Sequence, residues 1–246
     1  MKRIKLTVSY DGTNYHGWQI QNNGITIESE LNRALTDLFG TEIIVTGASR
    51  TDAGVHAIGN VAVFDVETRM PAEKIAYALN ARLPEDIIVQ TSEEVSDDFH
   101  PRHCDCEKTY EYRILNRKMP LPNVRLNSHF ICYDLNIELM KEAASCFIGY
   151  HDFKSFCAAG SQVQDTHRTI YSLEVNKYDD MITIRVRGNG FLYNMVRIIA
   201  GTLIEVGKGR IKPEDIENII SGADRKLAGP TAPAKGLTLV EIRYKK

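Results

Sequence analysis

The sequence predicts an α+β protein in which one order of strands and helices occurs twice. Stretches with the period-two alternation of strands are interleaved with stretches whose apolar residues recur at helical spacing. In each half the main elements follow the order β-α-β-β-α-β, which is the ferredoxin-like split βαβ arrangement. We therefore expect two ferredoxin-like halves, residues 1–105 and 106–246, whose antiparallel sheets lie side by side and form a central cleft.

The first half shows this order clearly. The stretch IKLTVSYDG alternates in period two and ends at an Asp-Gly turn pair, which predicts a strand. From Thr26, TIESELNRALTDLFG places its apolar residues on one helical face, and Gly40 ends the helix. Four further stretches complete the order. TEIIVTGAS and NVAVFDVET predict two strands, PAEKIAYALNARL predicts a helix bounded by proline, and DIIVQTSEEV predicts a last strand.

The second half repeats the order with an inserted strand and an inserted helix. KTYEYRILN predicts its first strand, a short strand lies near SHFICYD, and IELMKEAASCFIG predicts a helix. RTIYSLEVNKY and MITIRVRG predict a hairpin across Asp179-Asp180. A helix is expected from about Phe191 to Val206 and a small one after Pro213, and GLTLVEIRY predicts the closing strand.

Composition excludes several classes of protein. The 246 residues carry a formal net charge of −2 and an estimated pI of 6.4, so any surface that binds a polyanion is a local patch. The basic start has no apolar run typical of a signal peptide, and the most apolar helical stretch is too short to span a bilayer. The five cysteines are scattered rather than arranged as a disulfide framework. These features favour a cytoplasmic protein without a membrane association.

The segment GASRTDAGVHA is the first candidate site. It connects two predicted strands of the first half and places Asp52 two residues after Arg50, among small and apolar residues. A carboxylate held there could act as a nucleophile or base, kept ionised by Arg50 or by a cation from the second half. The alternative is an Asx turn, in which the carboxylate only caps backbone N–H groups.

Arg197 is the second candidate. It lies among apolar residues of the predicted helix FLYNMVRIIAGTLIEV, so we expect it to be partly buried. A buried guanidinium requires a carboxylate partner, and Asp52, Glu205 or a carboxylate on a neighbouring strand could supply it. The alternative is an arginine that extends its charged group into water.

Tyr110 and Tyr112 share one face of a predicted strand. Aromatic side chains on such a face can stack on unpaired bases of RNA, although most are ordinary core residues.

Two other stretches give weak indications of a cofactor. Gly188 and Gly190 precede a helix but lack the third glycine of a dinucleotide-binding motif. The glycine- and proline-rich loop 225–237 is expected to pack against the site as a rigid loop, with no chemistry of its own. A group of four potential metal ligands does not have the spacing of a zinc site: His100, His103, Cys104 and Cys106.

Taken together, five motifs resemble those of the bacterial tRNA pseudouridine synthase A family. They are YDGTNYHGWQIQ, SRTDAGVHA, HDFKSFC, GNGFLYNMVRIIAGTL and AGPTAPAKGL, which occur in the family's order and extend over nearly the whole chain. The resemblance implies the pseudouridine synthase fold and isomerisation of uridine to pseudouridine in the anticodon stem-loop of tRNA. It also implies that a homodimer performs this reaction without a cofactor or metal.

The resemblance also implies roles for individual residues. Asp52 matches the catalytic aspartate, and Arg50 matches an arginine that helps to flip the target base or takes its place. Tyr110 matches the tyrosine that stacks on the target uracil, and Arg197 matches the arginine that pairs with the catalytic carboxylate. Ser49, Tyr193 and the segment FHPRHCDCEKTYEY depart from the family pattern. These departures leave open a related enzyme acting on other tRNA or ribosomal RNA uridines. A non-catalytic RNA-binding protein of the same fold is a second alternative, against which the presence of both Asp52 and Arg197 argues.

Overall fold

The structure is a computed structural model that describes residues 1–160 and 163–245. Within these residues the chain forms ten strands and five α-helices, which agrees with the α+β class expected from the sequence. The chain divides into two compact units. One comprises Met1–Cys106 and the residues from Leu239 onward, and the other comprises Glu107–Thr238. The division after Cys106 lies next to the expected boundary, whereas the last strand, expected in the second half, is assigned mainly to the first unit.

The first unit is a sheet with two helices, in which β1 pairs antiparallel with both β3 and β4. The strand order is β4-β1-β3-β10, and the short β2 pairs with β3. Its elements are β1 (Lys2–Tyr10), α1 (Ile27–Phe39), β2 (Thr46–Gly47), β3 (His56–Val66), α2 (Ala72–Asn80), β4 (Ile87–Val95) and most of β10 (Leu237–Tyr244).

Local sequence signals explain the first elements of this unit. Every second residue of β1, from Ile4 to Tyr10, is buried, as the alternating pattern predicted. The hydroxyl of Thr26 and that of Ser29 each accept a hydrogen bond from the other residue's backbone N–H, which caps the start of α1. Gly40, at a φ of 70°, ends the helix in the left-handed conformation that glycine favours.

The second unit contains the remaining strands and three helices. The strand order is β5-β9-β8-β7, all antiparallel, and β6 pairs with β5 in parallel. Its elements are β5 (Cys106–Asn116, of which Cys106 belongs to the first unit), β6 (His129–Ile131), α3 (Ile137–Ser145), β7 (Gly149–Asp152), β8 (His167–Tyr178), β9 (Met181–Gly188), α4 (Met195–Gly207) and α5 (Asp215–Ser221).

Two elements differ in length from the prediction. The strand expected over TEIIVTGAS is reduced to β2, because side chains of α1 bind the preceding backbone: Thr36 Oγ1 accepts from the N–H of Ile43, and Asn32 Oδ1 accepts from that of Val45. Those N–H groups therefore do not join a ladder. Helix α4 begins at Met195 rather than near Phe191. β7 was not predicted.

Among the helices of residues 1–160 and 163–245, none has the length and apolar character that a membrane span requires.

Candidate active site

The loop that carries Asp52 is fixed to the first unit through its backbone. The carbonyl oxygen of Thr51 accepts a hydrogen bond from the N–H of Trp18 (3.0 Å), and the N–H of Gly54 donates to the carbonyl oxygen of Tyr15 (3.3 Å). Gly54 has a φ of 77°, which allows the chain to turn there. Asp52 itself is half-buried. The loop is therefore bound on both sides of Asp52.

A buried hydrogen-bond network lies beneath this loop. The hydroxyls of Tyr10 and Thr51 lie 2.8 Å apart, and the Asn60 amide donates to the Tyr10 hydroxyl (3.2 Å) and to the carbonyl oxygen of Ser49 (3.0 Å). Ser49 and Thr51 are buried, whereas Arg50 between them is exposed. Alternate residues of the segment thus bind the core, while Arg50 is directed toward solvent and Asp52 remains partly accessible.

Glycines of the motif YDGTNYHGWQIQ allow the loop to approach closely. A Cβ at Gly17 would lie 2.5 Å from the carbonyl oxygen of Thr51, and a Cβ at Gly12 would overlap that of Val55. Neither position can hold a larger residue without displacement of backbone. The two motifs thus form one packed structure in the first unit.

Asp11 and His56 connect the same two motifs. His56 is buried, and its Nδ1 lies 3.2 Å from the N–H of Gly12 and 3.1 Å from Oδ1 of Asp11. Burial alone would raise the pKa of the Asp11 carboxyl, but hydrogen bonds from Thr13 and the adjacent His56 bring that pKa below its usual value. The folded protein therefore favours the ionised form of Asp11.

Arg102 adds positive charge near the loop. Its Nε donates to the carbonyl oxygen of Gly47 (2.6 Å), and its side chain is exposed. Partial burial lowers the pKa of the Arg102 guanidinium most, and the positive charge of Arg50 lowers it further. The charge of Glu28 partly offsets both effects. Arg50 and Arg102 thus contribute to the same local electrostatic field, which suits a negatively charged ligand.

The His and Cys residues near Arg102 do not form a metal centre in the part of the chain that the structure describes. No group of three or more histidine, cysteine or acidic side chains among those residues could hold a metal ion. The ring centroids of His100 and His103 lie 4.1 Å apart. Burial, followed by the electrostatic effect of the neighbouring His103, lowers the pKa of His100.

Arg197 is half-buried in the first turn of α4, in the second unit. Its Nε donates to the carbonyl oxygen of Ala232 (2.8 Å), and its Nη1 donates to Oδ1 of Asn194 (2.7 Å). Both acceptors are neutral, so these contacts orient the guanidinium without neutralising its charge. Glu205, one of the expected carboxylate partners, forms ion pairs with Lys208 (2.8 Å) and Arg210 (3.0 Å).

The loop 225–236 packs against α4 beside Arg197, and one of its carbonyl groups binds the arginine directly. The N–H of Gly229 donates to Oγ1 of Thr202 on α4 (2.9 Å), and the N–H of Ala232 donates to the carbonyl oxygen of Arg197 (3.0 Å). A Cβ at Gly201 would overlap the carbonyl oxygen of Pro230. Close packing on α4 therefore aligns the Ala232 carbonyl with the arginine.

The two tyrosines of β5 are buried in the second unit. The ring of Tyr110 packs edge-on against Phe191, with centroids 5.2 Å apart. The hydroxyl of Tyr112 donates to the carbonyl oxygen of Pro233 (2.9 Å). Burial raises the pKa of the Tyr112 hydroxyl, and the positive charge of Arg197 opposes this rise. Tyr112 thus supports the loop beside Arg197, and Tyr110 is mostly enclosed by protein.

Comparison with known proteins identifies the family. The sequence profile described as tRNA pseudouridine synthase matches residues 6–103 and 143–245. The chain belongs to the tRNA pseudouridine synthase family. Among its relatives, the tRNA pseudouridine synthase A of Thermoanaerobacter pseudethanolicus is 50% identical over 244 residues, which are 99% of this chain and 100% of the relative.

Two further relatives have the same name. That of Ruminiclostridium cellulolyticum is 51% identical over 245 residues, covering 99% of this chain and 100% of the relative. That of Bacillus subtilis is 45% identical over 244 residues, covering 98% and 99%. The resemblance drawn from the motifs, the pseudouridine synthase fold and the assignment to an isomerase family are thereby confirmed.

Proposed function

We propose that this enzyme isomerises uridine to pseudouridine in the anticodon stem-loop of tRNA and that Asp52 is the catalytic carboxylate. The observation that supports this role most directly is the fixation of the Asp52 loop. Hydrogen bonds with Trp18 and Tyr15 hold the backbone of the loop. The buried contact between the Tyr10 and Thr51 hydroxyls fixes the side chain of the residue before Asp52. A rigidly supported carboxylate on a loop between strands is a typical arrangement for a catalytic group.

The reaction requires no net oxidation or hydrolysis. The bond between N1 of uracil and C1′ of ribose breaks, the uracil rotates, and a bond forms between C5 and C1′, while the C5 proton is lost and N1 gains one. A carboxylate could attack C1′, attack C6, or take the 2′ proton to give a glycal. All three routes require Asp52 to be ionised and water to be excluded from the sugar.

We propose Arg197 as the cationic partner of this carboxylate. Its guanidinium is held by the Ala232 carbonyl and the Asn194 amide, and neither contact removes its charge. A fixed positive charge favours the ionised form of a nearby carboxylate in a site from which water is excluded.

Arg50 and Tyr110 have proposed roles toward the target base. Arg50 is exposed at the tip of the loop that carries Asp52, where it could displace the base from the RNA stack. Unstacking a base costs about a few kcal/mol, and stacking on an aromatic side chain such as Tyr110 would recover part of this free energy.

The proposal includes a homodimer that acts on tRNA without a metal or cofactor, in the cytoplasm. The motif resemblance supports these assignments, and the exposed Arg50 and Arg102 provide local positive charge for the RNA backbone. Light scattering of the purified protein tests the dimer.

Mapping of modified bases tests the proposed reaction. The purified protein is incubated with unmodified tRNA transcripts in the presence of a chelator, and pseudouridine is located base by base. We expect modification within the anticodon stem-loop and none in a transcript whose target uridines are replaced by cytidine. Modification only elsewhere would assign another substrate position, and binding without any modification would contradict an enzymatic role.

A further inference from the structure

The residue before helix α4 has an unusual backbone conformation. Asn194 has a φ of 60° and a ψ of 7°, which is the left-handed region that residues other than glycine rarely adopt. Within residues 1–160 and 163–245, the other non-glycine residues at positive φ are Asp179 and Ala223. Asparagine tolerates this region better than most residues but still less well than glycine. The presence of a side chain at a position that favours glycine therefore suggests that the Asn194 side chain has a function.

The Asn194 side chain does not perform the usual task of a helix N-cap. An asparagine at that position normally accepts a hydrogen bond from a backbone N–H of the first turn, yet the Asn194 side chain makes no such cap bond. Its backbone carbonyl accepts from the N–H of Ile198 (2.9 Å), as in a regular helix. Its side-chain Oδ1 instead accepts from Nη1 of Arg197 at 2.7 Å.

Asn194 and Ala232 together determine the plane of the guanidinium. One binds Nη1 from the start of α4, and the other binds Nε from the loop 225–236. Because the guanidinium is planar, two acceptors on different nitrogens fix the direction in which its remaining donors point.

We propose that Asn194 is a positioning residue for Arg197, whose amide oxygen sets the orientation in which the guanidinium meets its reaction partner. This inference rests on the proposed role of Arg197 in the isomerisation. On this inference, the side chain of Asn194 contributes to the reaction and its backbone conformation does not.

Substitution by glycine separates these two contributions. Asn194→Gly keeps the left-handed backbone at no steric cost and removes the acceptor, whereas Asn194→Ala removes the acceptor and strains the backbone. In single-turnover and steady-state assays with a tRNA transcript, we expect Asn194→Gly to lower kcat about 10- to 100-fold with KM changed less than about threefold. Its thermal unfolding midpoint should be unchanged or higher.

Two further variants complete the test. Asp179→Gly makes the same change at an exposed left-handed residue of the β8–β9 turn and should leave kcat unchanged. Asn194→Asp keeps an acceptor oxygen but adds a negative charge that would neutralise Arg197, so it too should lower kcat. Asn194→Gly with native kcat would overturn the proposal.

Arg197→Lys distinguishes failure of this inference from failure of the proposed function. If Arg197→Lys loses activity and Asn194→Gly does not, the role of Asn194 is wrong while that of Arg197 stands. If Arg197→Lys has native kcat, the arginine does not act in the reaction, and the role of Asn194 fails with it.

Discussion

The hydroxyl of Tyr10, at the end of β1, lies 2.8 Å from the hydroxyl of Thr51, the residue that precedes Asp52. The Asn60 amide of β3 donates to the same Tyr10 oxygen at 3.2 Å. Thr51 and Asn60 are both buried, so water cannot readily replace these contacts if they are lost. The position of the Asp52 loop therefore depends on a polar network in the core of the first unit.

Tyr10→Phe should weaken both stability and activity. It removes the hydroxyl and leaves the buried Thr51 and Asn60 groups without this partner, which costs about 1–3 kcal/mol in the free energy of unfolding. Urea titration measures this loss, and kcat should fall because the loop is less rigidly held. Tyr178→Phe, at a tyrosine that is 81% exposed, is the matched control. Equal stability of the two variants would show that the network is not important.

Gly201→Ala should displace the loop 225–236 from α4. The added methyl group would overlap the carbonyl oxygen of Pro230, and both groups belong to backbone. We expect a loss of about 1–3 kcal/mol in urea titrations and a lower kcat, because the Ala232 carbonyl would move away from Arg197. Gly207→Ala, in the same helix, faces mainly the flexible side chain of Met140 and should be better tolerated. A Gly201→Ala variant as stable and active as Gly207→Ala would contradict the prediction.

Substitution of Tyr110 tests its proposed stacking on the target base. Tyr110→Phe keeps the aromatic ring and should retain kcat/KM within about threefold, whereas Tyr110→Leu should lose about tenfold or more. Thermal unfolding of both variants controls for the contact between Tyr110 and Phe191. Equal kcat/KM in two folded variants would remove the stacking role.

The low pKa of Asp11 predicts a pH-dependent contribution to stability. Hydrogen bonds from Thr13 and the adjacent His56 outweigh burial and lower the pKa of Asp11 in the folded protein. The ionised carboxylate therefore stabilises the folded state at pH values above 3.8, the ordinary pKa of an aspartate. That stabilisation is lost as the pH falls through the lower, folded-state pKa. The stability difference between the native protein and Asp11→Asn should therefore be largest near neutral pH and shrink in acid.

Urea titrations from about pH 7 to about pH 3 measure this difference. Asp134→Asn, at an exposed aspartate, serves as control. A difference between native protein and Asp11→Asn that stays constant over this range would contradict the prediction.

Local signals in the sequence were sufficient for most of the fold. The Thr26 cap and Gly40 defined α1 to within a residue, because capping depends on neighbours in the chain. The strand before Asp52 was predicted too long, since side chains of α1 bind its backbone, and this contact is tertiary. The start of α4 was placed too early for a local reason, the left-handed conformation of Asn194.

The candidate site was only partly predictable. The motifs indicated Asp52, Arg50, Tyr110 and Arg197 as candidates, whereas they gave no indication of the supporting contacts of Tyr10, Asn60 and Ala232. These three act through contacts between residues far apart in the chain, on which periodicity and spacing carry no information. Ala232 has no polar side chain to attract notice, because it acts through its carbonyl oxygen.

The most direct test of the central claim is pseudouridine formation by Asp52→Asn under single-turnover conditions with a tRNA transcript. Asparagine keeps the size of the side chain but cannot act as a nucleophile or base in the same way. We predict no detectable pseudouridine, with affinity for the RNA within roughly tenfold of the native protein. Turnover by Asp52→Asn at the native rate would contradict the account, because the carboxylate would then have no part in the reaction.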